Sequence, residues 1–166
     1  VSKAVSALKD GFVIAIPAEH GYVYVVDAFS NQSVRAMHVM RGSTDEISAQ
    51  VAIKDIETAN GISREISQAA KNLAKKHWPG LLTLIVRPQK QLAWDLGDAN
   101  SLDEIAIRAP KSKFFSAIVK KSGPLAFVSI APIGEDPVLD PKQIEKNPSL
   151  EFIFNQGKLR KGKRST

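Results

Sequence analysis

Four short segments carry the residue types that do chemistry, and each adjoins a stretch patterned as strand or helix. Pro17-Ala18-Glu19-His20-Gly21-Tyr22 sets a carboxylate and an imidazole side by side next to an aromatic ring. Imidazole titrates near neutrality, so the pair suits acid/base work or substrate orientation, with a solvated loop as the plain alternative. Met40-Arg41-Gly42-Ser43-Thr44 ends a helical pattern with a cation, a glycine and two hydroxyls. That combination suits an anion, or simply a helix C-cap. Ile107-Arg108-Ala109-Pro110 places one guanidinium at the end of an apolar strand. Burying it is expensive unless a carboxylate or phosphate pairs with it, so it faces either a ligand or a structural salt bridge. The run from Phe127 to Gly134 passes from a strand into small residues. There Ser129 and the loop N–H groups could meet phosphate or form an ordinary exit turn.

A fifth feature is the C-terminal segment. Lys158, Arg160, Lys161, Lys163 and Arg164 fall within nine positions with no acid among them and supply five of the six net positive charges. A cationic cluster draws phosphate, on a nucleotide or along an RNA backbone, because each neutralised phosphate releases counterion. A merely solubilising tail is the alternative.

Several function classes are excluded. There is no Walker loop, Gly-x-Gly-x-x-Gly fingerprint or nucleophile elbow. Cysteine is absent, which removes disulfides, thiolate zinc sites and cysteine nucleophiles and is compatible with a reducing cytoplasm. His20, His38 and His77 show no i, i+4 spacing, so no metal site is expected. No apolar run approaches the roughly 20 residues that span a bilayer, and residues 1–10 lack a secretory apolar region. A soluble, cytoplasmic protein without membrane partners is the expectation. Val1 in place of Met predicts a processed or trimmed start.

The elements that must position these residues alternate along the chain. Apolar and β-branched runs predict strands over 12–16, 22–26, 81–86, 105–108, 125–129 and 152–154. The 3.6-residue period predicts helices over 33–41, 63–77, 114–121 and 141–146. Ser63 reads as the N-cap of the second, and Pro79-Gly80 stops it. With 166 residues, 43% hydrophobic content and no internal repeat, the chain predicts one domain over 1–166, an α/β or α+β sheet with helices packed on it.

Taken in order, these segments resemble the YrdC-like family, whose members include L-threonylcarbamoyladenylate synthases. Pro17, Glu19, Tyr22, Asp27 and Ala28 match positions of the family's opening Pro-Thr-Asp-Thr-Val-Tyr-Gly-Leu segment. Trp78-Pro79-Gly80 with Leu82-Thr83-Leu84 is similar to Trp-Pro-Gly-Pro-Leu-Thr, the most specific piece. Arg108-Ala109-Pro110 resembles Arg-Val-Pro. Pro124-Leu125, Ser129 and Gly134 resemble Pro-Leu, Ser-Ala-Asn and Ser-Gly elements, and the final Gly162 to Thr166 resembles a late Gly…Ser-Thr segment.

The resemblance implies a single twisted open mixed sheet with flanking helices around a large basic cavity. It implies joining of threonine, bicarbonate and ATP into threonylcarbamoyl-AMP with release of pyrophosphate, ATP being a substrate accompanied by Mg2+ and no cofactor being tightly held. Other proteins then move the carbamoyl group to tRNA. Family members are also associated with double-stranded RNA. Carried onto this chain, Arg41, Ser129, Lys163 and Ser165 would meet nucleotide phosphates. Arg108 would hold the amino-acid carboxylate, and Glu19, His20 and Tyr22 would shape the substrate end. Lys158, Arg160, Lys161, Lys163 and Arg164 would meet RNA.

The departures bear on activity. Ala18-Glu19-His20 stands where the family has Thr-Asp-Thr, Arg41-Gly42-Ser43 where it has Lys-Gly-Arg, and Ser129-Ile130-Ala131 where it has Ser-Ala-Asn, with Ile133 for a following Ser. Each lost charge-assisted hydrogen bond is typically worth about 1.5 to 3 kcal/mol. A non-catalytic paralogue that binds nucleotide or double-stranded RNA is therefore the alternative to a synthase.

Overall fold

The computed structural model describes residues 1–43, 47–99, 101 and 103–166. Among the described residues seven strands form one open mixed sheet: β1 (Val13–Pro17), β2 (Tyr22–Asp27), β3 (Gln50–Ala52), β4 (Leu84–Val86), β5 (Ile105–Arg108), β6 (Leu125–Ser129) and β7 (Leu150–Ile153). Their order across the sheet is β4-β5-β3-β6-β2-β1-β7. The pairs β3/β5 and β1/β7 are parallel and the others antiparallel.

Strand sequences without a polar face require cover on both sides, and the central strands have it. Along β1, Val13 and Ala15 enter one apolar cluster while Ile14 and Ile16 enter the other. Along β6, Ala126 and Val128 go one way, Leu125 and Phe127 the opposite way. This period of two follows from the pleat. The helices α1 (Ser2–Lys9) and α5 (Lys113–Ser122) seal one face through Leu8, Phe115 and Ile118. On the other face lie α2 (Asn31–Arg41), through Val34 and Met37, and α3 (Ile56–Ile62), through Ala59. The α/β architecture, with its mixed sheet and flanking helices, is the one expected.

Several boundaries differ from the sequence reading. The helix predicted over 63–77 starts only at Gln68: α4 spans Gln68–His77 and is capped by Ser67, whose Oγ accepts from Ala70 N at 3.2 Å. Ser63 instead ends α3. The backbone there pairs with a neighbouring extended segment, Arg64 N donating to Arg87 O and Gln89 N to Ile62 O, so it is not free to coil. The strand predicted over 81–86 shortens to β4, since Leu82 O accepts from the Trp78 indole at 2.7 Å. Trp78 is partly buried against the larger cluster. Only a 3-10 turn, Pro141–Gln143, occupies the stretch expected to be helical over 141–146. Among the described residues, no helix is long and apolar enough to cross a membrane.

Candidate ligand-binding cavity

The turn between β1 and β2 is closed by Ala18 N donating to Gly21 O at 2.9 Å, which points Glu19 and His20 across the ends of the strands. Beneath them a cavity of about 330 Å³ opens. Arg41 reaches it from the last turn of α2, which Gly42 stops in the left-handed conformation at φ 68°. Arg108 enters from the end of β5 and Ser129 from the end of β6. Lys163 and Ser165 complete the wall from the C-terminal segment. Residues more than 120 positions apart thus converge on one concave site, as ligand sites require.

The two guanidinium groups stand in different surroundings. Arg108 Nη1 donates to Glu19 Oε2 at 3.0 Å, and the two side chains are only 5% and 10% exposed. The other Glu19 oxygen accepts from Lys111 N at 2.6 Å and Ser112 N at 3.3 Å, tying the turn to the start of α5. The Arg108 guanidinium also lies over the Phe127 ring, 5.2 Å from its centroid, while its Nε has no hydrogen-bond partner. Arg41, by contrast, forms no ion pair among the described residues; its Nε donates a long 3.4 Å bond to Ala131 O. Partial burial pushes the Arg41 pKa below its ordinary value, so an anion is the natural partner for this desolvated charge.

Tyr22 is fully buried, and its hydroxyl is already committed. It donates to Gly157 O at 2.9 Å and accepts from Gln156 N at 3.0 Å, so it serves as a strut under the C-terminal segment. His20 holds the same segment: its Nδ1 lies 3.2 Å from Arg160 O, a contact that needs the proton on Nδ1. Thr166 pairs with the chain before β4, its N donating to Leu81 O at 3.0 Å and its O accepting from Thr83 N at 2.8 Å. The basic segment is therefore a strap fastened across the cavity and not a free tail.

That fastening divides the five cations expected to meet RNA. Lys161 pairs with Asp136 at 3.1 Å, and Arg164 donates to Glu135 O at 3.1 Å. Both Lys163 and Arg164 line the cavity. Lys158, Arg160 and Lys163 are exposed and make no ion pair among the described residues. Ser43 does not line the cavity, its Oγ being buried without a partner, and Thr44 lies outside the described residues. The Glu135-Asp136 clamp was missed from sequence. Part of its signal was available: the Asp136 carboxylate, in a loop, against a last segment that carries cations and no acid; the Glu135 contact is through its backbone carbonyl. Among the described residues no cluster of three or more His, Asp or Glu could hold a metal ion.

Residues 6–166 match the family model described as telomere recombination, which groups Sua5, YciO and YrdC proteins. The chain belongs to the Sua5/YciO/YrdC family. A relative from Mycobacterium tuberculosis is 29% identical over 143 residues, covering 86% of this chain and 65% of that protein. The threonylcarbamoyl-AMP synthase of Bacillus subtilis is 30% identical over 123 residues, covering 74% of this chain and 35% of that one. This Sua5/YciO/YrdC chain thus spans less than two thirds of the length of the curated relatives it matches. The crystal structure of Pyrococcus abyssi Sua5 complexed with L-threonine superposes with a TM-score of 0.88 at 24% identity, covering 99% of this chain and 48% of that one. At that identity the likeness speaks for the fold.

Proposed function

We propose that this family member binds ATP and L-threonine in the cavity and joins them with bicarbonate into threonylcarbamoyl-AMP, in the service of tRNA threonylcarbamoyladenosine modification. The reaction releases pyrophosphate and water. In this reading threonine and bicarbonate form the carbamate, whose oxygen attacks the α-phosphorus of ATP, with pyrophosphate as the leaving group. The chain's contribution is positioning and charge stabilisation, which carry phosphoryl-type transfers.

One observation carries the reading: Arg41, partly buried and without an ion pair among the described residues, shares a cavity with Lys163, Ser129 and Ser165. These four would meet the phosphates. The Glu19, His20, Tyr22 and Arg108 side would receive the amino acid, with Tyr22 as wall. Mg2+ would arrive on the triphosphate, as it does where phosphates supply most of its ligands. A cytoplasmic place of action goes with this reading and with the absence of cysteine. Calorimetric titration with ATP tests it: binding to the native chain should weaken at least about tenfold in Arg41→Ala, the worth of one charge-assisted hydrogen bond.

A second reading has its own observation. Ala18, Ser43, Ala131 and Ile133 remove polar groups found in the family pattern, and Glu19 already occupies Arg108. A non-catalytic member would bind nucleotide or double-stranded RNA through the same cations. ATP binding without pyrophosphate release would favour it.

A further inference from the structure

The cavity carries different charge on its two sides. On one side, Glu19 and Arg108 form an almost completely buried pair, and Glu19 is held in place by two backbone N–H groups as well. On the other, Arg41 has no counterion among the described residues. Each side opens onto a further cavity, one lined by Glu19 with Lys113 and Phe114, the other by Arg41 with Tyr24, Glu135, Asp136 and Glu145, none of which pairs with Arg41. Those two neighbours share no residue, so Glu19 and Arg41 mark opposite ends of the cavity whose wall also holds Arg108.

We infer that Glu19 is a specificity-determining residue: it keeps Arg108 in an electroneutral pair, leaves Arg41 as the guanidinium that takes a ligand's phosphate, and so fixes which way an anionic ligand lies. This rests on the nucleotide reading above. The physics is that of compensation. A phosphate approaching Arg108 meets the Glu19 carboxylate at close range, and the repulsion offsets what the guanidinium offers. A phosphate approaching Arg41 meets a partly desolvated cation that no carboxylate pairs among the described residues, although Glu135 shares the cavity wall. Glu19 is too firmly held to give way, since three donors would have to be abandoned together. Neutralising it would leave Arg108, whose Nε is already without a partner, as a buried charge with no counterion. Such a group recruits any anion within reach.

Inorganic pyrophosphate, titrated calorimetrically into the native chain, Arg41→Ala, Glu19→Gln and the double variant, tests this. In the native background Arg41→Ala should weaken binding about tenfold or more. In the Glu19→Gln background pyrophosphate should bind at least as tightly as to the native chain, and the Arg41→Ala loss should shrink to less than about threefold because Arg108 now competes. Equal Arg41→Ala losses in both backgrounds would overturn the inference and leave the nucleotide reading standing. Failure of the native chain to bind pyrophosphate at all would overturn the nucleotide reading and this inference together. Where Glu19→Gln does not fold, the neutral pair Glu19→Gln/Arg108→Gln replaces it. The full native Arg41→Ala loss is then expected, and its disappearance would overturn the role of the pair's charge.

Discussion

His20 and Gly162 pack so closely that a β-carbon at position 162 would collide with the imidazole ring, including its Cγ. The strap can cross the turn between β1 and β2 only because residue 162 has no side chain. Gly162→Ala should therefore cost about 1 to 3 kcal/mol in urea unfolding, the usual range for overpacking, and should weaken ATP binding by displacing Lys163 and Ser165. Adding His20→Ala should recover most of that stability. Two independent, additive losses would show that the contact is not what limits the strap.

Tyr22 makes a related prediction from hydrogen bonding. Tyr22→Phe removes the donor to Gly157 O and the acceptor for Gln156 N. Stranding part-buried backbone groups costs about 1 to 3 kcal/mol, so the denaturation midpoint should fall with the m-value unchanged. Because Tyr22 supports the base of the strap, ATP affinity should fall as well.

Arg108→Ala should be more damaging to stability than any strap substitution. It leaves Glu19 buried with only two backbone donors, and breaking a buried pair typically costs about 3 to 5 kcal/mol. Replacing both partners, Glu19→Leu with Arg108→Met, should cost less than Arg108→Ala alone. A larger loss for the double replacement would mean that the pair contributes more than mutual compensation.

For RNA, the strap's internal contacts sort the five basic residues. Neutralising Lys158 and Arg160 should make the log–log salt dependence of duplex RNA binding shallower by about 1 to 2 units. Lys161→Ala should change it less, since that ammonium is shared with Asp136. Sequence preference should be slight, because phosphate contacts position without reading bases. Equal effects of all five residues would show that the strap leaves the cavity when RNA binds.

Much of the architecture was legible because short-range rules decide it. The runs of β1, β2 and β6 are apolar or aromatic up to the closing Asp27 of β2 and Ser129 of β6, and strands buried on both faces need no other signal. The loops that follow them could be named as places for a site for the same reason. Some of the elements missed were settled by distant partners. β3 is three residues long and exists through its ladders with β5 and β6. Ser63 has the chemistry of a cap, but residues 87–89 claim its neighbourhood. α1 was overlooked although Ala4, Ala7 and Leu8 fall at helical spacing and bury together. Within the site, sequence presented Glu19 and Arg108 as separate ligand-facing groups and left a salt bridge open for Arg108. That they answer each other, across 89 positions, required the fold.

Pyrophosphate release by the purified chain, measured with ATP, L-threonine and bicarbonate and with each omitted in turn, tests the central claim most directly. The proposed activity predicts release that requires all three and falls at least about tenfold in Arg41→Ala, as expected for loss of a charge-assisted contact to phosphate. No release from the folded chain, or release indifferent to threonine, would contradict it.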